Sequence, residues 1–307
     1  MTPSTVDGVL VIDKPSGPTS HDVVARARRA LQEKRIGHTG TLDPLATGVL
    51  PLVVGRATRL ASFLSSGEKS YEARVRLGSA TASYDAAERL LAGEPPPPAP
   101  DLVTEQVANA LQAFAGTYLQ APPPYSAKKI GGVAAHRLAR RDTPVQPEPV
   151  TVTVSELELG GYQDGLALVK VTATAGFYVR SLAHELGARL SCGGHLEGLR
   201  RVRAGTFTLA NAVPLETVES EGSAARLRML PLEALLPDFP AVRLNDRGER
   251  RVSHGNSVSF EDVASGIDQF AGTAEHPHVR LLTASGTLMA IAQPAPGGVL
   301  RPTIVLV

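Results

Sequence analysis

The sequence predicts an α+β protein with one large and one small domain, and three observations carry that expectation. The chain has 307 residues, more than a typical single domain holds. Segments of strand period and segments of helix period are interspersed along its first 238 residues. Near Pro237 and Pro240 the texture changes, and short β-like runs separated by Gly and Pro follow. The expected division is therefore 1–238 for the large domain and 239–307 for a small β-rich one.

Each element has its own signal. Val9–Ile12 is a short apolar strand running into a Pro/Gly turn. Thr19 or Ser20 can cap a helix from His21 to Gln32, with Val23, Val24, Ala27 and Leu31 on one face. From Arg35 to Gly48 the chain is irregular and rich in Gly and Thr, and the apolar run Val49–Val54 follows. Arg56–Leu64 has helical character. Lys69–Leu77 alternates, with Tyr71, Ala73, Val75 and Leu77 facing inward and Glu72, Arg74 and Arg76 outward, as a half-buried strand requires. The proline run Glu94–Pro100 is a stiff connector, and Leu102–Ala115 a helix. Residues 122–149, rich in Pro, Gly and basic side chains, predict a long loop with a short helix around Ala134–Arg140. Val150–Leu159 and Leu166–Ala173 predict a hairpin across Gly160–Gly165, followed by a helix Val179–Leu190 and a strand near Gly205–Leu209. In the small domain Val279–Leu282, Leu288–Ala292 and Thr303–Val307 read as strands.

Composition narrows the function classes. A hydrophobic fraction of 43% supports a sizeable core, although aromatics make up 4% and Trp is absent. Cys192 is the single cysteine, which excludes an intramolecular disulfide or a Cys-rich zinc site and suits a reducing cytosol. The first residues lack a basic-then-apolar leader, and no apolar run approaches the roughly 20 residues of a membrane span. A cytoplasmic protein without membrane contact is expected. The formal net charge of +1 does not announce a polyanionic partner. The distribution says more: Arg26, Arg28 and Arg29 cluster, as do Lys128, Lys129, Arg137, Arg140 and Arg141, and Arg200, Arg201 and Arg203, whereas Glu216, Glu219 and Glu221 lie elsewhere. A nearly neutral protein can thus present a basic face to nucleic acid, although any one cluster alone reads more simply as solvated arginines.

Cofactor motifs are missing: there is no Walker loop, no GxGxxG after a strand, no HExxH and no GxSxG. His276 and His278 lack a third ligand nearby and read as a loop, so no cofactor or metal is expected. Asp43 is the outstanding candidate for chemistry. It lies in a loop crowded with Gly37, Gly40 and Gly48 and is followed by Pro44, so backbone can approach a ligand closely. Local composition alone leaves two readings level, a turn-capping aspartate and a presented carboxylate.

The string GHTGTLDPLATGVLPL, residues 37–52, resembles the signature of the TruB family of tRNA pseudouridine synthases. Similar blocks run in family order: DKPSGPTSHDVVARARR (13–29), GRATRLASFL (55–64), KSYEARVRLG (69–78), PPPYSAKKIGG (122–132), GFYVRSLAHELG (176–187) and HLEGLRRVRAG (195–205). Departures fall in Thr81–Asp85 and in the proline run, where no catalytic residue is expected. The resemblance implies a mixed, mainly antiparallel sheet of pseudouridine synthase type with flanking helices, and a PUA-like C-terminal domain. It implies isomerisation of uridine 55 in the T loop of tRNA after the base is flipped out. Asp43 takes the place of the nucleophile, Tyr71 of the stacking tyrosine, and Tyr178 and Arg180 of the second tyrosine and of the arginine beside the aspartate. Leu199 would line the uracil pocket, His38 would help hold the T loop, and Lys14 would support the site. Arginine is a fitting neighbour, since a fixed positive charge favours the ionised carboxylate that attack requires.

Without the resemblance, pattern alone makes Tyr71, Tyr178 and Leu199 core residues and His38 part of a loop. The basic loop would clamp the RNA through Lys128, Lys129, Arg137, Arg140 and Arg141. The T-arm stem-loop of tRNA is the expected partner of a monomer that needs no guide RNA or accessory protein. A guide-dependent relative and a tRNA-folding chaperone with dispensable isomerase activity are the alternatives.

Overall fold

A computed structural model describes residues 7–87, 98–125, 129–130, 133–134, 148–266, 268 and 277–307. Strand β1 (Gly8–Lys14) is apolar and almost wholly buried, as its unbroken Val-Leu-Val-Ile run dictates. Helix α1 (Ser20–Leu31) starts at Thr19, whose hydroxyl accepts from the Asp22 N–H (3.1 Å) while the Asp22 carboxylate accepts from the Thr19 N–H (2.9 Å). Its face of Val23, Val24, Ala27 and Leu31 is buried as the periodicity predicts. Strands β2 (Ile36–His38) and β3 (Thr47–Val54) follow, with the Asp43 loop between them. A 3-10 turn then leads into α2 (Ala61–Ser66), and β4 (Lys69–Leu77) alternates as expected.

Helix α3 (Thr104–Gln112) and β5 (Gly116–Gln120) come next, then the two-residue strands β6 (Lys129–Ile130) and β7 (Val133–Ala134). Ala134 thus belongs to a small hairpin instead of starting a helix, and residues 135–140 lie outside the described residues. The long hairpin β8 (Val150–Gln163) and β9 (Leu166–Ala173) turns at Asp164 and Gly165, both at positive φ (50° and 74°). That corrects the expected loop over 160–165: Asp-Gly suits a two-residue hairpin turn, and Gly160 and Gly161 sit at a register shift inside β8.

Helix α4 (Val179–Arg189) precedes β10 (Gly194–Ala204), a central strand that the sequence pattern does not announce. Two register shifts against β4 break its two-residue period, so its arginines resemble a surface cluster. Short strands β11 (Phe207–Thr208) and β12 (Val213–Pro214), helix α5 (Leu215–Glu221) and strand β13 (Leu230–Pro231) complete the larger unit.

The main sheet runs β12-β1-β3-β10-β4-β9-β8-β5, and among the described residues only its β1/β12 and β3/β10 strand pairs are parallel. It is mixed and mainly antiparallel, as expected. A second sheet contains β14 (Ala241–Leu244), β15 (Val263–Ser265), β16 (Val279–Leu282), β17 (Leu288–Ala295) and β18 (Val299–Val305), in the order β15-β14-β16-β17-β18. An unforeseen helix α6 (Asp246–Ser253), capped by Asn245, covers it. Leu282, Leu288 and Ile291 of this sheet, with Leu306 just after β18, share one apolar cluster with Val9, Val11, Val53 and Leu60. The expected segregation of charge is corrected too: Arg26 is paired with Glu219, and Arg28 donates to the Ile36 carbonyl.

Candidate active site

Three anchors hold the loop that carries Asp43. The Lys14 ammonium, fully buried at the end of β1, donates to the carbonyls of Ala46 (2.7 Å), Pro15 (2.9 Å) and Pro44 (3.4 Å). Ser20 at the start of α1 donates to the Leu42 carbonyl (2.9 Å) and accepts from its N–H (2.8 Å). From β10, the Arg201 guanidinium donates to Gly40 (3.1 Å), Thr41 (3.4 Å) and Val49 (2.7 Å). Gly48 closes the loop at φ 99°, where a Cβ would lie 2.2 Å from the Arg201 carbonyl oxygen. Only glycine fits there.

Asp43 faces a cavity of about 310 Å³. Arg180, in the first turn of α4, approaches it with two nitrogens: Nε lies 2.9 Å from Oδ2 and Nη2 3.4 Å from Oδ1. The Arg180 side chain is 8% exposed and that of Asp43 39%, so the cation is buried while the carboxylate stays open to a ligand. Arg180 is fixed from behind by the carbonyls of Tyr125 (2.9 Å) and Ser83 (3.1 Å) and by the buried Asp85 carboxylate at 3.8 Å. The buried Gln120 amide grips the Tyr178 backbone at both ends, accepting from its N–H (2.8 Å) and donating to its carbonyl (3.1 Å). That sets the start of α4. Tyr71 and Leu199 enter the cavity from β4 and β10, and Phe177 and Tyr178 close its other side.

The structure therefore brings Asp43, Tyr71, Tyr178, Arg180 and Leu199 together. Lys14 lies behind the loop and does not line the cavity, and its three carbonyl bonds use all the donors of an ammonium. Its place is support, not ligand contact. His38 is also outside the cavity, edge-on to His21 with ring centroids 5.4 Å apart. Burial, then His21 and Arg201, lower its pKa, and Nδ1 accepts from the Gly40 N–H (3.3 Å). Lys128, Arg137, Arg140 and Arg141 lie outside the described residues, as does the Lys129 side chain.

Lys69 and Arg201 also line the cavity, and neither is expected there from the sequence. Lys69 shares the inward parity of Tyr71, which is the signal that could have revealed it. Asp85 falls in a stretch where no catalytic residue is expected, and it backs Arg180 without lining the cavity. Burial pushes the Tyr71 phenol up, opposed by Arg201 and reinforced by Asp43. Among the described residues, no three His, Cys, Asp or Glu side chains converge as metal ligands.

Burial, with repulsion from Arg201, also pushes the Lys14 and Lys69 ammonium groups down from 10.5 to about 8, Lys14 despite the attraction of Asp43. Between about pH 8 and 10.5 the unfolded chain therefore binds more protons than the folded one, so stability rises with pH in that window. Below it both states are charged and the burial penalty is complete. The expected result is a higher urea midpoint at about pH 9.5 than at about pH 7.5, with the rise lost in a Lys14→Met/Lys69→Met variant. A wild-type midpoint that does not move would contradict the assignment.

Residues 28–179 match the model of the TruB family pseudouridylate synthase N-terminal domain. Residues 180–237 match that of the tRNA pseudouridylate synthase B C-terminal domain. The tRNA pseudouridine synthase B of Solibacter usitatus is 42% identical over 98% of this chain and 100% of its own length. That of Thermobifida fusca is 41% identical over 94% of this chain and 97% of its own. Among solved structures, a chain of an H/ACA ribonucleoprotein bound to a substrate RNA containing 2′-deoxyuridine superimposes with a TM-score of 0.74. At 23% identity, over 99% of this chain and 86% of that one, it speaks to the fold alone.

Proposed function

The chain belongs to the TruB family of pseudouridylate synthases, and on that premise we propose that it converts uridine 55 in the T loop of tRNA to pseudouridine. The observation that carries the reading is the Asp43 carboxylate, held by two nitrogens of Arg180 at the mouth of a cavity walled by Tyr71, Tyr178 and Leu199. The target base leaves its stack to reach such a cavity. Extrusion costs a few kcal/mol, and stacking of the flipped base on an aromatic ring returns roughly 1–3 kcal/mol. Tyr71 supplies that ring. Asp43 acts as nucleophile, the C1′–N1 bond breaks, and the uracil turns within the cavity. A C1′–C5 bond then forms, C5 loses its proton and N1 gains one. Nothing is consumed.

On the same reading His38 meets the T loop at the rim, and Lys14 acts through the loop it holds. Residues 239–307 serve as a PUA-like RNA-binding appendage to the catalytic domain 1–238. The enzyme works as a monomer in the cytoplasm, without guide RNA or accessory protein and without a cofactor. The test is an unmodified tRNA transcript incubated with this chain alone. Pseudouridine at position 55 and nowhere else is expected; formation only after a guide RNA or second protein is added would contradict self-sufficiency.

The basic segment 122–149 is assigned to clamp the RNA. Replacing Lys128, Lys129 and Arg137 with Gln should weaken T-arm binding and flatten the dependence of log affinity on log salt by roughly two. If affinity and slope both stay at wild-type values, the clamp lies elsewhere.

A further inference from the structure

Among the described residues, Arg201 is a buried cation that pairs with no carboxylate. Its side chain is among the largest that are fully buried, and its nitrogens donate to three backbone carbonyls, those of Gly40 and Thr41 in the Asp43 loop and that of Val49 in β3. The same guanidinium lies against the Tyr71 phenol, and the two residues are direct partners across the β10/β4 ladder. A register shift between Arg201 and Arg203 follows at once, the kind of local bulge that re-aims a side chain beside a site. One side chain thus touches both the loop of the nucleophile and the ring opposite it. Burying a guanidinium this deeply is costly, and a core packing role would be filled better by an apolar residue.

We propose that Arg201 is a positioning residue that holds the Tyr71 hydroxyl in register with the Asp43 loop and stabilises the phenol oxygen while the C5 proton is moved. The inference rests on the isomerase reading above. In the step it serves, C5 loses a proton, the electrons of that C–H bond return to the ring, and N1 gains a proton, so no further reactant is needed. Asp43 and Lys69 also face this region. While Asp43 is ionised its charge opposes any negative charge on the phenol. Once Asp43 is bonded to the substrate that opposition ends, and the pull of Arg201 is no longer countered by the carboxylate.

Arg201→Met tests the proposal in the full-length protein. On a T-arm stem-loop it should lower kcat about 10²-fold while RNA affinity stays near wild type. In a Tyr71→Phe background the same change should cost about tenfold less than it does in the wild type, because the hydroxyl is gone and only the bonds to the Asp43 loop remain to be lost. Equal losses in both backgrounds, or full activity of R201M, would overturn the proposal. Arg201→Lys should recover part of the rate and carries the same cycle if the Met variant does not fold. A second readout needs no turnover. With 3-fluorotyrosine replacing tyrosine, the resonance that disappears in Tyr71→Phe should move in R201K; if it stays put, Arg201 does not act on the phenol. A wild-type protein that fails to isomerise while this resonance moves would sink the isomerase reading and leave the Arg201–Tyr71 contact standing.

Discussion

Asp43→Asn is expected to lose pseudouridine formation by about 10⁴-fold or more, since loss of a nucleophile removes the covalent route entirely. The change is nearly isosteric. Arg180 keeps the Tyr125 and Ser83 carbonyls and the Asp85 carboxylate, so the fold and the cavity should survive. Affinity for the T-arm should therefore remain near wild type, measured by fluorescence anisotropy on the same preparation. Retained activity in this variant would move the chemistry away from Asp43. Retained binding without activity separates catalysis from any chaperone effect on tRNA folding.

Arg180→Met should reduce kcat by about 10²–10³-fold, the scale on which one preorganised electrostatic partner contributes. Arg180→Lys should recover only part of this, because an ammonium cannot reach both oxygens of Asp43 and the Ser83 and Tyr125 carbonyls with one planar fork. Stability should fall too, by roughly 1–3 kcal/mol, since the buried acceptors facing Arg180 lose their donor. Single-turnover kinetics beside urea melts separates the two effects. A drop in stability with an unchanged rate would make Arg180 a structural residue only.

The elements that position these groups are legible where local pattern and tertiary burial agree. Thr19 and Asp22 mark the start of α1, and the alternation of Lys69–Leu77 by itself assigns Tyr71 to the inward face. The register of β10 is not legible. Its bulges interrupt the alternation, and the charges of Arg200, Arg201 and Arg203 suggest a solvated surface, although Arg201 is buried and bonded to three carbonyls. Family signature leads directly to the Asp43–Arg180 pair, separated by 137 positions, which no local period could connect. It does not give the contacts by which a residue behind the cavity supports it. Lys14 shows why: its ammonium is spent on backbone carbonyls, a role decided by the path of the loop and invisible in residue type.

The central claim is that this cavity isomerises a flipped T-loop uridine with Asp43 as its nucleophile. The most direct measurement is a single-turnover reaction on a T-arm stem-loop with no added protein, RNA or metal, followed by nucleoside analysis. The account predicts one pseudouridine per RNA at the T-loop target with wild-type protein and none with Asp43→Asn. Stem-loop bound by the wild type but carrying only uridine at the end of the reaction would contradict it.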